Sequence, residues 1–265
     1  MVRRAQRELA RGEPSGTYCV VPTLFVVMPI FNEPTTFRGS LARVQSVVLP
    51  VGWTLAPILV DDGSDSATAS EIDAVVRAAD PPLAFERHAV NRGKGAALQS
   101  GFARAIALAR DPNDAVIIQD ADLEYDPNDF VALLNALEPA PAKSAVFGNR
   151  WHGRSTRTGW KSRIHRRGNR LLTRASNLAT GLVISDMECC YKLFSVRVLR
   201  EILPALTENR FGIEPQIAAA LARVGVRVVE APVSYAPRSL RAGKKIGPRD
   251  GIRALWVIAR SMFRS

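Results

Sequence analysis

Three features of the sequence predict an α/β fold with a mostly parallel central sheet. Short apolar or β-branched runs alternate with stretches long enough for helices. The runs carry no polar face, as strands covered on both sides do. Acidic and glycine-bearing clusters follow them directly, at the carboxyl ends where open α/β sheets bind ligands. Regular alternation of this kind implies right-handed βαβ units.

Taken in order, residues 1–22 read as a basic, weakly ordered tail bearing Arg3, Arg4, Arg7 and Arg11. The apolar run Tyr18–Phe31 resembles a signal peptide or membrane span at first sight. Pro22 and Pro29 interrupt it, it falls short of the ~20 apolar residues a spanning helix needs, and no small-residue cleavage site follows. It is therefore expected to hold a buried strand, Leu24–Met28, and the chain to have no transmembrane helix of its own. Further strands are expected at Pro57–Val60, Leu83–Arg87, Ala115–Gln119 and Ala145–Phe147, with helices at Phe37–Leu49, Ala67–Ala79 and Gly95–Arg110. Asp126-Pro127 has the form of an N-cap followed by proline at the first helical position. Beyond it Asn149–Arg174 is dense in basic residues: Arg150, Arg154, Arg157, Lys161, Arg163, Arg166, Arg167, Arg170 and Arg174. A shorter mixed region precedes a helix near Ile213–Val224, strands around Val226–Tyr235, a basic loop at Arg238–Arg249 and a final helix. The expected division is one domain over residues 23–248 and an amphipathic helix over 249–265.

Composition narrows the partners. With 47% hydrophobic residues in 265, one sizeable core is expected and wholesale disorder is not. A net charge of +11 favours an anionic partner: nucleic acid, nucleotide or phosphate, or an acidic membrane surface. Nucleic acid is disfavoured, because aromatic interleaving in the basic stretch is limited to Trp151 and Trp160 and no nucleic-acid motif is present. Three cysteines, Cys19 and the adjacent Cys189 and Cys190, suggest neither a disulfide framework nor a zinc site, and point to a reduced, cytoplasmic chain.

The chemistry gathers at strand ends. Asp120-Ala121-Asp122 closes the run Val116-Ile117-Ile118, so two carboxylates one residue apart can share a hard cation such as Mg²⁺ or Mn²⁺, with Glu124 as a third oxygen donor. Such an ion stabilises a diphosphate leaving group. Alone, the same three residues also read as a polar loop. Asp61-Asp62-Gly63-Ser64 follows Ile58-Leu59-Val60, where an acid can accept from ribose hydroxyls or a base N–H; an ordinary Asp-Gly turn is the alternative. Pro29-Ile30-Phe31-Asn32-Glu33 ends the first strand with a polar pair. Asn91-Arg92-Gly93-Lys94-Gly95 opens a helix whose N-terminus, with Lys94, suits a phosphate or polar sugar. Neither a P-loop nor a G-x-G-x-x-G fingerprint is present.

In sequence, PIFNE, VDDGS, NRGKG, DAD and GNR resemble the family-2 glycosyltransferases of GT-A, Rossmann-like fold. SDMECCYKLF, RFGIEPQIAAALA and PVSYAPRSLRAGKKI resemble the branch that makes dolichyl- or polyprenyl-phosphate mannose or glucose, and the likeness covers roughly residues 24–250. It implies Pro29, Phe31 and Glu33 around the nucleotide, Val60 and Asp62 near base and ribose, and Asp120, Ala121 and Asp122 on the diphosphate and metal. It implies Glu124 as a further metal ligand, where relatives often carry Gln, and Arg150, Arg238 and Lys244 closing on donor phosphates. The G-x-S-K signature reads Gly243-Lys244-Lys245-Ile246 here, leaving Lys244 and Lys245 as alternatives, and C-G-F-K reads Cys189-Cys190-Tyr191-Lys192.

The implied reaction is inverting transfer of mannose or glucose from GDP-mannose or UDP-glucose to a polyprenyl monophosphate. A phosphate monoester is mostly ionised at neutral pH, so no strong general base is needed. Asp186 is then a positioning residue, or the base if the acceptor is a hydroxyl. Arginines and lysines around Arg163–Arg174 suit the acceptor phosphate, with a solvated loop as the alternative. In the final helix Ile252, Leu255, Trp256, Ala259, Met262 and Phe263 share one face, and Arg249, Arg253, Arg260 and Arg264 another. That pattern suits either an interfacial helix on anionic lipid at the inner membrane face or a helix packed on the domain. Rival functions are transfer to a hydroxyl acceptor, a silent nucleotide-sugar or polyanion binder, and nucleotidyl transfer, which would release pyrophosphate. A homo-oligomer is compatible with the sequence.

Overall fold

The structure, a computed structural model, describes residues 21–139, 142–152, 160–238 and 248–262. Seven strands form one sheet in the order β3-β2-β1-β4-β6-β5-β7. They are β1 (Thr23–Ile30), β2 (Thr54–Asp61), β3 (Ala84–Arg87), β4 (Ala115–Ile118), β5 (Ser144–Asn149), β6 (Lys192–Ser195) and β7 (Arg227–Pro232). All pairings are parallel except those of β6, which runs antiparallel to both β4 and β5. The first four strands arise where periodicity placed them, within three residues at each end. In β4 all four side chains are buried, which explains the unbroken apolar run.

Helices α1 (Phe37–Gln45), α2 (Ser66–Ala78) and α3 (Lys94–Leu108) connect the first four strands. Asp65 caps α2 by accepting from the Thr68 N–H at 2.9 Å. Gly101 lets α3 press on the sheet: a Cβ there would stand 2.3 Å from Val27 Cγ1. After β4 come a 3₁₀ turn (Pro127–Asp129) and α4 (Phe130–Ala136), with Asp126 accepting from Asn128 N–H as the N-cap.

The second half departs from the expected pattern. The basic stretch is not a loop throughout: α5 spans Trp160–Thr180. Its helical period was hidden by arginines on most faces. Strand β6 is only four residues long and runs straight into α6 (Val196–Ile202), capped by Ser195. So short a strand, shared with the start of a helix, has no period to read. Helices α7 (Ile213–Arg223) and α8 (Pro248–Met262) complete the chain, and α8 packs on α5 and α7. Helix α8 turns Ala254, Val257 and Ile258 inward, leaving Ile252, Leu255, Trp256 and Met262 exposed. The expected apolar face is thus not the one that packs on the protein. Phe263 and Arg264 lie outside the described residues, as does most of the tail 1–22. Among the described residues, no helix is long and apolar enough to cross a membrane. Cys189 and Cys190 are free and buried.

Candidate active site

The carboxyl ends of β1, β2, β4 and β5 open on a cleft of about 310 Å³. Of the expected site residues, it is lined by Pro29, Phe31, Glu33, Asp62, Lys94, Asp120, Ala121, Asp122, Glu124, Arg150 and Arg238. Val60 does not line it; its side chain is fully buried in the core. Asp186 lies underneath, and Lys244 and Lys245 fall outside the described residues.

On the β2 side, Asp61 and Asp62 are both buried. Asp61 accepts from Arg87 Nε at 2.7 Å and from Ser64 N–H at 3.0 Å. Asp62 accepts from the N–H groups of Arg92 (2.9 Å) and Gly93 (2.7 Å), and its Oδ1 lies 2.7 Å from His88 Nδ1. The second acid of the pair therefore ties the end of β2 to the loop that opens α3. In that loop the glycines serve close packing: a Cβ on Gly95 would stand 1.9 Å from the Glu208 carbonyl oxygen, and Gly93 has φ +101°. The Ala96 N–H donates to Asn209 O at 3.1 Å, so this donor of the helix N-terminus has a protein partner.

Lys94 reaches across to the acidic motif after β4. Its ammonium lies 2.9 Å from Asp120 Oδ1 and 3.1 Å from Glu214 Oε1. Glu214 in turn pairs with the fully buried Lys192, so alternating charge runs from the cleft lining into the core. Burial opposes ionisation of Asp120, yet Lys94 holds its carboxyl below the usual range. Asp122 differs. Burial, with the charges of Asp120 and Glu124, pushes it up to about 7. Leu123, at φ 62°, turns the backbone so that Asp122 Oδ1 accepts from Glu124 N–H at 3.1 Å.

Arg238 closes this face. It donates to Glu33 at 2.9 and 3.1 Å and to Asp122 Oδ2 at 3.0 Å, and its backbone N–H donates to Glu124 at 3.0 Å. Glu124 also accepts from Tyr235 OH at 2.7 Å. Just after β5, Arg150 is gripped by Asp186, which accepts from its backbone N–H at 3.0 Å, Nε at 2.8 Å and Nη2 at 2.6 Å. The guanidinium lies over the rings of Trp151 and Tyr235, and Arg166 from α5 covers the Trp151 ring at 5.1 Å. Arg166 and Asn169 line the cleft here.

The acids suit a divalent ion of limited protein ligation. Asp120, Asp122 and Glu124 offer oxygen donors only, in one cleft, and the raised Asp122 marks negative charge that a cation would relieve. Among the described residues, no three His, Cys, Asp or Glu side chains gather closely enough to hold a metal by themselves. That fits Mg²⁺ or Mn²⁺ bound through one or two carboxylates, with the rest of its shell from phosphate and water. Sequence reasoning passed over Glu188 and Glu214, though both stand in the motifs quoted above. A lone acid inside an otherwise apolar run, as in Ile213–Arg223, was the available signal.

The sequence model of glycosyl transferase family 2 matches residues 25–203, well over half of the chain. The chain belongs to glycosyl transferase family 2. Among its relatives within this family, it is similar to the undecaprenyl-phosphate mannosyltransferase of Micrococcus luteus, with 26% identity over 84% of this chain and 88% of that one. It is likewise similar to the polyprenol monophosphomannose synthase of Mycolicibacterium smegmatis, at 26% identity over 91% and 88% of the two chains. An undecaprenyl-phosphate 4-deoxy-4-formamido-L-arabinose transferase of Pseudomonas fluorescens is 26% identical over 80% of this chain, which spans 57% of that relative's length. The fold is shared with glucosyl-3-phosphoglycerate synthase of Mycobacterium tuberculosis, solved with Mg²⁺ and uridine diphosphate, at TM-score 0.59 and 18% identity over 91% of this chain and 80% of that one. A structure of the same synthase with Mn²⁺, uridine diphosphate and phosphoglyceric acid gives TM-score 0.59 at 17% identity, over 91% and 78%. The family-2 chain therefore has the GT-A architecture that its motif order implied.

Proposed function

We propose that this chain is an inverting glycosyltransferase that moves a mannose or glucose residue from GDP-mannose or UDP-glucose to a polyprenyl monophosphate. One observation carries this reading: a single cleft is lined both by the carboxylates Asp120, Asp122 and Glu124 and by the arginines Arg150, Arg166 and Arg238. The carboxylates suit a metal–diphosphate, and Arg150 with Arg166 a second phosphate. The mannosyltransferase and mannose synthase relatives are named for such acceptors.

Asp120 and Asp122 would hold the Mg²⁺ or Mn²⁺, with Glu124 at its edge; when bound, the ion neutralises charge developing on the leaving diphosphate. Arg238 already sits against Asp122 and Glu33 and can swing onto the diphosphate as the donor enters. Lys94 fixes the Asp120 rotamer. Arg150, which family likeness put on the donor phosphates, is immobilised by Asp186 and in this reading presents its charge instead to the acceptor phosphate, whose own oxygen is the nucleophile. In this arrangement Asp186 positions Arg150.

Exposed apolar residues on the packed pair α5 and α8, among them Leu171, Leu178, Ile252 and Leu255, support peripheral attachment to an anionic membrane, where the lipid acceptor resides. The test is nucleoside diphosphate release with Mg²⁺ or Mn²⁺, each donor in turn, with and without a short polyprenyl phosphate. Release only with the lipid supports the proposal. Release without it, or only with a hydroxyl acceptor, moves the reaction to another family-2 branch, and no release from folded protein overturns transferase activity.

A further inference from the structure

One carboxyl on the cleft wall has no task in the account above. Glu188 stands in the loop that enters β6 and lines the cleft with Asp120, Arg150 and Glu214. Its Oε1 is shut off from bulk water and has no hydrogen-bond partner among the described residues. The two cations that act on it are already matched elsewhere. Lys192 is paired with Glu214, and Arg150 is held bidentately by Asp186. Burial, then the Glu214 charge, push Glu188 up to about 7.

A carboxyl so placed is no structural ion pair, and a buried polar atom left unmet in the lining of a cleft calls for a partner that enters the cleft, water or ligand. Ionised phosphate oxygens only accept hydrogen bonds, and a carboxylate repels them. Sugar hydroxyls both donate and accept, so they match a carboxyl whether it carries its proton or not. Glu188 also lines the same cleft as Asp120, Asp122 and Arg150, within range of the Arg150 and Glu214 charges, so a sugar ring held between donor and acceptor phosphates in that cleft is within its reach.

We propose that Glu188 is a specificity-determining residue of the hexose subsite, taking hydroxyl groups of the donor sugar ring. This assignment rests on the nucleotide-sugar reading above. The test is calorimetric titration of the whole chain, with Mg²⁺ present, by a nucleoside diphosphate and by the matching nucleotide-hexose, in the GDP and UDP series. For Glu188→Ala, nucleotide-hexose affinity should fall at least tenfold while nucleoside diphosphate affinity is unchanged, which also shows that the variant is folded. Glu188→Gln, which keeps hydrogen-bonding capacity, should lose less, and Glu188→Ala should narrow the kcat/KM preference between epimeric donors. Equal losses for both ligands, no loss for either, or a change confined to the KM of the acceptor would overturn the assignment. Wild-type protein that binds neither ligand would overturn the donor reading itself, and the assignment with it.

Discussion

Removing the carboxylate of Asp186 tests how Arg150 is held. Asp186 is fully buried and accepts three hydrogen bonds from Arg150, two of them from the guanidinium. Arg150 is itself buried, so Asp186→Ala leaves a guanidinium without its counter-ion, a change worth about 3–5 kcal/mol. For a chain of this size that corresponds to a fall in Tm of about 10 °C. Asp186→Asn keeps an oxygen for the backbone N–H but surrenders a charge-assisted bond, and should cost about 2 kcal/mol. Replacing both partners, Arg150→Met with Asp186→Leu, should recover most of the lost stability, because an apolar pair of similar volume replaces an ion pair at little net cost. Urea unfolding of wild type, Arg150→Met, Asp186→Leu and the double variant gives the cycle directly. Asp186→Ala within about 1 kcal/mol of wild type would refute the reasoning. Asp186→Asn with wild-type stability and no turnover would instead place this carboxylate at the reacting atoms, as expected of a base for a hydroxyl acceptor.

Asp122→Asn should lower turnover at least ~100-fold with the fold intact, since charge at the diphosphate is the main electrostatic contribution, read as nucleoside diphosphate release. Glu188 sits near 7 in the folded protein against an ordinary 4.5, so the native state holds a proton that the unfolded chain has lost between those values. Wild-type stability should therefore fall as pH rises from about 4.5 to 7 and level off above, and Glu188→Gln should be the more stable by roughly 2 kcal/mol at pH 8 in urea unfolding. Gly95→Ala drives a Cβ to 1.9 Å from the Glu208 carbonyl and should cost about 1–3 kcal/mol. Gly168→Ala in α5 meets nothing within 4 Å and should stabilise by up to about 1 kcal/mol, both being read from urea midpoints. Ile252→Glu combined with Leu255→Glu should weaken binding to anionic vesicles about tenfold in co-sedimentation, with Tm unchanged.

The first half of the fold was legible because β1 and β4 are largely buried on both faces and the helices follow at regular spacing, so Leu24–Met28 and Val116–Ile118 could be read without context. The acidic motifs were legible because they stand at strand ends. Their partners were not. That Asp62 would be occupied by Arg92 and Gly93, or that Glu124 would meet Tyr235, depends on segments 30 and 111 residues apart, which no local pattern encodes. Which of the two readings of α8 holds was undecided for a related reason: the helical wheel orders residues by angle but does not say which side meets α5 and α7. Val60 was placed by likeness to its family, while its own apolar run already consigned its side chain to the core.

The reversed strand β6 has a consequence for how such proteins diversify. The chain passes once from the block β1–β4 to the block β5–β7, between Leu137 and Ser144, and β6 then returns to pair with β4 through Ala115–Ser195, Val116–Phe194 and Ile117–Leu193. Asp120, Asp122 and Glu124 are thus inherited on the first segment, while Arg150, Arg166 and Asp186 are inherited on the second. Recombination at that crossing would join one parent's acids to another parent's arginines only where the seam stayed compatible: the β4–β6 ladder, the Lys94–Glu214 contact, and the grip of Arg238 and Tyr235 on Glu33, Asp122 and Glu124. A lineage can therefore swap its two halves only by keeping the residues that meet across that line.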